Sequence, residues 1–122
     1  ETSLFSNDGT GRFERLPLPA EVQFSPVFAA KAADFTGDGI TDILLGGNLY
    51  NAKPETGRYD ASFWHLLEGK GKGQFRLMSP VFTGLYLDGE TRDIKEIRSG
   101  NERLILVAKS NGPLQVLKVR NR

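Results

Sequence analysis

The sequence contains no cysteine, which excludes disulfide bonds, cysteine-based zinc sites and cysteine nucleophiles. Histidine is almost as scarce, since His65 is the only one and stands between apolar residues in a predicted strand. A Ser-His-Asp triad also needs a presented serine and an orienting acid, and the sequence carries no such signature. We therefore interpret His65 as a packed side chain. No apolar run approaches the length of a membrane span, so no span is expected.

Charge of either sign is not in excess. Lysine and arginine number 16 and aspartate and glutamate 15, for a net charge of +1 and with no basic block. We therefore expect neither nucleic acid nor an anionic membrane as a partner. The 14 glycines and six prolines divide the 122 residues into short pieces, and no stretch sustains an amphipathic helical pattern. This composition predicts one all-β domain over residues 1–122.

The most informative stretch is D-F-T-G-D-G-I-T-D at residues 34–42, which offers an oxygen donor at every second position. Calcium needs several converging oxygens, and a tight loop supplies them when a glycine at its sixth position, here Gly39, lets the backbone reverse. The spacing therefore predicts one Ca²⁺ site. Its expected ligands are the side chains of Asp34, Thr36, Asp38 and Asp42 and the carbonyl oxygen of Ile40.

This loop is not an EF-hand, because the twelfth position is Leu45 in place of a bidentate glutamate. The short apolar run that follows, closed by two glycines, indicates a buried strand, so the loop joins two strands. A metal-free alternative stays open, in which the carboxylates of an Asp-Gly turn accept hydrogen bonds from their own backbone. Repulsion among three converging carboxylates favours the ion.

Residues 34–45, D-F-T-G-D-G-I-T-D-I-L-L, resemble the signature of FG-GAP and VCBS repeats, and residues 48–62 resemble the connector of the CRTAC branch of VCBS-repeat proteins, also called ASPIC and UnbV. The resemblance implies four-stranded antiparallel blades of a β-propeller, with calcium on the turn between the first two strands of a blade. It also implies an extracytoplasmic protein. The family pattern has Asp or Asn at the third loop position, where this chain has Thr36.

An internal sequence repeat is consistent with an architecture of repeated propeller blades. G-T-G-R-F at 9–13 recurs as G-K-G-Q-F at 71–75, an offset of 62 residues (75 − 13), and the same offset carries I-L-L at 43–45 onto I-L-V at 105–107. It aligns Asp34 with Glu96 and Asp42 with Leu104, so the second copy is expected to bind no metal. The sequence thus predicts a propeller fragment of about two blades. Its parts are outer strands within 2–16, a full blade over 26–78 that includes strands at 27–33 and 42–47, and a partial blade over 92–120.

So few strands do not close a propeller, which needs roughly four to eight blades. We expect the N-terminal strands to complete the C-terminal sheet, either within one chain or between two chains. Open strand edges also pair readily with other backbones, which allows a homo-oligomer. The sequence is therefore expected to be a piece of a longer chain.

Other candidate sites have weaker patterns. Glu90 and Asp93 are two acids close in sequence, but a glycosidase requires a separation that the sequence does not give, so we interpret them as solvated loop charge. The glycines of Gly69–Gly73 precede a strand and not a helix, which favours a turn over a phosphate site. Arg58-Tyr59-Asp60 is similar to short adhesive tripeptides, and internal hydrogen bonding in the connector is the preferred interpretation.

These patterns predict a non-catalytic binding or scaffolding module. It would be a calcium-stabilised propeller piece of a larger secreted, periplasmic or cell-surface protein whose exposed loops engage a protein or a glycan. Calcium is abundant outside cells, where sites with dissociation constants on the order of 10⁻⁴–10⁻³ M fill. The alternative is an enzyme, or an accessory domain of an enzyme, that acts on polysaccharide.

Replacing Thr36 by aspartate tests the third loop position. We expect Thr36→Asp to tighten calcium binding, because a fourth carboxylate adds Coulomb attraction to the ion. The stability of the ion-free protein should gain less, because the added charge also repels its neighbours. Calorimetric titration of both proteins measures the effect, and equal affinities would mean that position three does not bind the ion.

Overall fold

The computed structural model describes residues 1–47, 64–85, 87 and 89–120, and nearly all regular structure in them is β-strand. The helical elements among these residues are a 3-10 helix, Ala20–Gln23, and one α-helical turn, α1, Pro80–Thr83. The predicted all-β class is thus confirmed. The strands are β1 Leu4–Asn7, β2 Phe13–Leu16, β3 Val27–Ala33, β4 Asp42–Gly47, β5 His65–Gly69, β6 Phe75–Leu77, β7 Glu90–Ser99, β8 Glu102–Ser110 and β9 Gln115–Val119.

The strands form three antiparallel sheets in chain order. We call them the N-terminal hairpin (β1-β2), the central sheet (β3-β4-β5-β6) and the C-terminal sheet (β7-β8-β9). The first two lie inside the ranges 2–16 and 26–78. The third starts at Glu90, ahead of the predicted range 92–120, because β7 is longer than the pattern of apolar residues suggested.

The central sheet is covered on both faces. Side chains alternate between the two faces along a strand. On the forward face, Leu44 and Leu66 form one buried cluster with Ile105 and Val107 of the C-terminal sheet. On the rear face, Leu45 and Leu67 form a second cluster with Val22 of the 3-10 helix. The two sheets therefore stack face to face, and the segment before β3 covers the other side.

The 62-residue period is present in the strand register. In the N-terminal hairpin Phe5 pairs with Arg15, and in the central sheet Leu67 pairs with Leu77, the same pair shifted by 62 residues (67 − 5 and 77 − 15). Likewise, the pair of Ser6 and Glu14 becomes the pair of Glu68 and Arg76. The hairpin is thus equivalent to β5-β6.

The second copy departs from this period at one turn, which corrects the predicted alignment of Asp34 with Glu96. Gly100 and Asn101 alone join β7 to β8, whereas residues 34–41 join β3 to β4. In the first copy Ala32 pairs with Ile43, and in the second copy Glu96 pairs with Ile105, the counterpart of Ile43. Glu96 is therefore equivalent to Ala32. The calcium-type loop has no counterpart of its length in the second copy.

The two chain ends do not form a common sheet within the described residues. β9 pairs with β8 on one side only, and the N-terminal hairpin is a separate two-stranded sheet. The expectation that the N-terminal strands complete the C-terminal sheet within one chain is therefore wrong. Leu16 of the hairpin lies close to Gly73, in the turn between β5 and β6 of the central sheet, and the hairpin is not beside β9. Completion between two chains stays a prediction.

Candidate functional site

The loop between β3 and β4 is held by the carboxylate of Asp42, which is fully buried. The backbone N–H groups of Phe35 and Thr36 donate to its Oδ2 at 2.8 and 2.9 Å. The N–H of Gly69, on β5, donates to its Oδ1 at 2.9 Å. Hydrogen bonds to an ionised carboxylate are about twice as strong as neutral ones. Asp42, the first residue of β4, therefore binds the start of the loop through Phe35 and Thr36, and binds β5 through Gly69.

Gly69 is needed at this contact because the loop lies against its backbone. A Cβ at this position would stand 2.2 Å from the carbonyl oxygen of Thr41 and 2.8 Å from Cγ2 of Ile40. Any larger residue would push β5 away from the loop and lengthen the bond to Asp42. The sequence pattern placed Gly69 in a turn, whereas it is the last residue of β5.

The other two aspartates of the loop also accept backbone N–H groups. Asp34 accepts from Gly37 at 2.6 Å and from Gly39 at 2.9 Å, and Asp38 accepts from Ile40 at 2.8 Å. The bonds from Gly39 and Gly37 hold the pKa of Asp34 below its ordinary value, and Arg103 adds to this effect. These contacts are the ones that the metal-free alternative requires.

The five predicted oxygen donors lie on this one loop, and their chemistry suits calcium. The hydroxyl of Thr36 is buried without a hydrogen-bond partner within the described residues. Each carboxylate oxygen of Asp34 accepts one of these backbone N–H groups and keeps a second lone pair, whereas Oδ2 of Asp42 accepts two such groups. However, the part of the chain that the structure describes contains no group of three or more His, Cys, Asp or Glu side chains arranged for a metal ion. The calcium site therefore stays a prediction.

Arg103, on β8, joins this loop to the C-terminal sheet. Its Nη1 donates to the carbonyl oxygen of Asp34 at 2.8 Å, its Nε donates to Glu96 at 2.8 Å, and its guanidinium lies 5.9 Å from the centre of the Phe35 ring. The bond from Arg103 is the main cause that lowers the pKa of Glu96. Sequence reasoning missed Arg103 because Asp34 is 69 residues away and no local pattern marks the contact.

A cleft of about 840 Å³ opens beside the loop, between the central and C-terminal sheets. Its apolar lining includes Leu44, Leu66 and Ile105. The charged residues along it are Asp38, Glu68, Arg76, Lys118 and Arg120. The cleft thus combines an apolar interior with charges of both signs.

Glu68 is held by two cations at the edge of this cleft. Lys70 lies 2.7 Å from its Oε1 and Arg76 lies 2.5 Å from its Oε2. The hydrogen bond from Lys70, followed by that from Arg76, holds the pKa of Glu68 below its ordinary value. Glu68 is therefore a poor candidate for a general acid, which needs a raised pKa.

The other sequence candidates lie elsewhere or are outside the described residues. His65 is half-buried on β5, and burial lowers its pKa while Glu21 opposes the shift. Glu90 is buried on β7 and bonded to Arg92 at 2.9 Å, so its interpretation as solvated loop charge is wrong. Asp93, on the same strand, is exposed. Neither acid lines the cleft. Arg58-Tyr59-Asp60 and the connector of residues 48–62 lie outside the described residues.

No protein-family model, curated protein or solved structure matches the chain. The resemblance to FG-GAP and VCBS repeats therefore rests on the loop motif of residues 34–45 and the connector of residues 48–62. Among the described residues, no helix has the length and apolar character needed to cross a membrane.

Replacing Asp42 by asparagine tests the anchor of the loop. Asparagine keeps the shape of the side chain, but its amide nitrogen donates hydrogen bonds and cannot accept them. At least one of the three backbone N–H groups therefore loses its acceptor. We expect Asp42→Asn to lower the free energy of unfolding by about 1–3 kcal/mol. Denaturant unfolding measures this change. Asp93→Asn, at a side chain that is 57% exposed, is the matched control, and an equal effect of both variants would contradict the role of Asp42.

Proposed function

We propose that this chain is a non-catalytic binding and scaffolding module, and that it is part of a larger extracytoplasmic protein built from propeller-type blades. The observation that carries the proposal is the position of the loop of residues 34–42. The loop is fixed to the central sheet through Asp42, meets the C-terminal sheet through Arg103, and lines the cleft with Thr36 and Asp38. One loop thus belongs both to the joint between the sheets and to the cleft.

Calcium is the proposed cofactor of this loop. The oxygens of Asp34, Thr36, Asp38 and Asp42 and the carbonyl of Ile40 would hold the ion, and its charge would offset the repulsion among the carboxylates. An ion that binds the folded loop and not the unfolded chain stabilises the fold. The proposed role of calcium is therefore structural, at the joint between the two sheets.

The cleft is the proposed ligand site. Binding pockets are mostly apolar and carry a few polar groups that fix the orientation of the ligand. Phe82, which is exposed, and Met78 and Leu117, which are partly buried, provide apolar surface. Asp38 and Arg76 provide hydrogen-bonding groups of opposite charge. This combination suits a glycan or an extended peptide, both of which present alternating apolar and polar atoms.

One observation favours the alternative of a polysaccharide-active enzyme. Asp38 and Glu68 both line the cleft, and glycoside hydrolysis uses a pair of carboxyl groups. Of such a pair, one carboxyl acts as a general acid with a raised pKa and the other stays ionised as base or nucleophile. Lys70 and then Arg76 lower the pKa of Glu68, which does not suit the acid. Both oxygens of Glu68 are also held in ion pairs with Lys70 and Arg76, which does not suit the base or nucleophile. The non-catalytic function is therefore preferred.

Calcium should raise the melting temperature of the chain. The expected gain is about 2.7 kcal/mol when free calcium is a hundred times its dissociation constant. Thermal melts with calcium and with chelator measure the shift, which Asp38→Ala should abolish and Asp93→Ala, outside the loop, should retain. Identical melts of the native chain, or a shift that survives Asp38→Ala, would remove the ion from this account.

Incubation with mixed glycans separates a binding module from an enzyme. We expect a glycan to be retained without turnover, because both carboxylate oxygens of Glu68 are held in ion pairs with Lys70 and Arg76. Binding is measured by calorimetry and products by mass spectrometry. Arg76→Ala should weaken binding, whereas Arg15→Ala, on the N-terminal hairpin, should not. Hydrolysis products that disappear in Glu68→Gln would establish the enzyme.

A further inference from the structure

The turn between β8 and β9 contains Asn111 followed by Gly112, the one Asn-Gly pair in the sequence. Residues 111–114 are all exposed, and Asn111 takes a positive φ angle of 54°. Within the described residues, neither the side-chain amide of Asn111 nor the backbone N–H of Gly112 forms a hydrogen bond. An amide carbon and a backbone nitrogen thus stand next to each other in the chain, and both are free.

These two groups can react with each other. The backbone nitrogen of Gly112, once it has lost its proton, attacks Cγ of Asn111, and ammonia leaves to give a succinimide ring. Water then opens the ring at Cγ, which gives aspartate, or at the former backbone carbonyl carbon, which gives isoaspartate. Each conversion therefore consumes one water and releases one ammonia. Because Gly112 has no Cβ, its nitrogen is accessible for the attack.

Asp8 and Gly9, in the turn of the N-terminal hairpin, could form the same ring, but their reacting groups are already bonded. The N–H of Gly9 donates to Oδ1 of Asn7 at 2.8 Å. Oδ1 of Asp8 accepts both the N–H and the hydroxyl of Thr10 at 2.7 Å. A group held in this way must give up its hydrogen bond before it can react. The fold therefore protects this pair.

Asp38 and Gly39, in the loop before β4, are held in the same manner. The N–H of Gly39 donates to Oδ2 of Asp34 at 2.9 Å, and Oδ1 of Asp38 accepts the N–H of Ile40 at 2.8 Å. The remaining Asp-Gly pair begins at Asp88, which lies outside the described residues. Of the three pairs that the structure describes in full, the pair at Asn111 is thus the one whose reacting groups are both free.

We propose that Asn111 is a site of self-modification in the folded chain, where the nitrogen of Gly112 converts it to aspartate and isoaspartate. This reaction is separate from ligand binding, but its product acts on the same region. Isoaspartate carries the backbone through its side-chain carbons and so lengthens the turn by one carbon atom. Beyond this turn Val107 pairs with Gln115, and Leu117 of β9 lines the cleft. The conversion therefore alters the connection to a strand that forms one wall of the cleft.

Prolonged incubation of the folded chain, followed by peptide mapping with mass spectrometry, tests the proposal. The peptide that contains Asn111 should gain the mass difference between an amide and a carboxylic acid, and fragmentation by electron transfer distinguishes isoaspartate from aspartate. The conversion should be faster at mildly alkaline than at mildly acidic pH, because the nitrogen must lose its proton. Circular dichroism during the incubation verifies that the reacting chain is folded.

Gly112→Ala should slow the conversion about tenfold, because a methyl group then stands beside the attacking nitrogen. The variant should keep the turn, since the nearest atom to a Cβ at this position would be Cβ of Lys109, at an ordinary contact distance of 3.4 Å. Asn101 is the control within the native chain. It is exposed in the turn between β7 and β8, but Glu102 follows it in place of a glycine.

The comparison of sites within one sample decides the outcome. Conversion at Asn111 that exceeds conversion at Asn101, Asp8 and Asp38 about tenfold would support the proposal, because a neighbouring glycine and free reacting groups coincide at Asn111 alone among these four. An unchanged Asn111, isoaspartate that forms as fast at Asp8 or Asp38, equal conversion of Asn101, or an equal rate in Gly112→Ala would each overturn it.

Discussion

The buried carboxylate of Asp42 is the interaction on which the rest of the structure depends. A charge without water is costly unless it is hydrogen-bonded, and here three backbone N–H groups supply that compensation. Two of them belong to the loop and one to β5, so the same carboxylate sets both the path of the loop and its distance from the central sheet. The loop in turn presents the Asp34 carbonyl to Arg103. The joint between the two sheets therefore depends on Asp42.

The loop is ordered by hydrogen bonds that do not involve an ion. Asp34 and Asp38 accept N–H groups from their own loop, two of them from glycines that take positive φ angles, Gly37 and Gly39. Such a loop loses little conformational entropy when an ion binds, because its backbone is already fixed. Calcium binding would then be governed mainly by electrostatics, and less by folding of the loop.

The two copies of the repeat share their strands and differ in what joins them. Residues 34–41 connect β3 to β4, whereas Gly100 and Asn101 close the equivalent turn, and Leu104 stands where the first copy has Asp42. The long loop and its buried anchor are therefore properties of one copy. The antiparallel order of the strands is common to both copies.

The sequence by itself determined the all-β class, the 62-residue period and the bounds of β3 and β4, because apolar runs and glycine turns are local signals. It also located the five candidate oxygens on one loop. Only the tertiary structure decided that Gly69 approaches Asp42, that Arg103 reaches Asp34, and which face of each sheet is covered. These contacts join residues far apart in the chain, and they are fixed by strand register and sheet stacking, which no local pattern encodes.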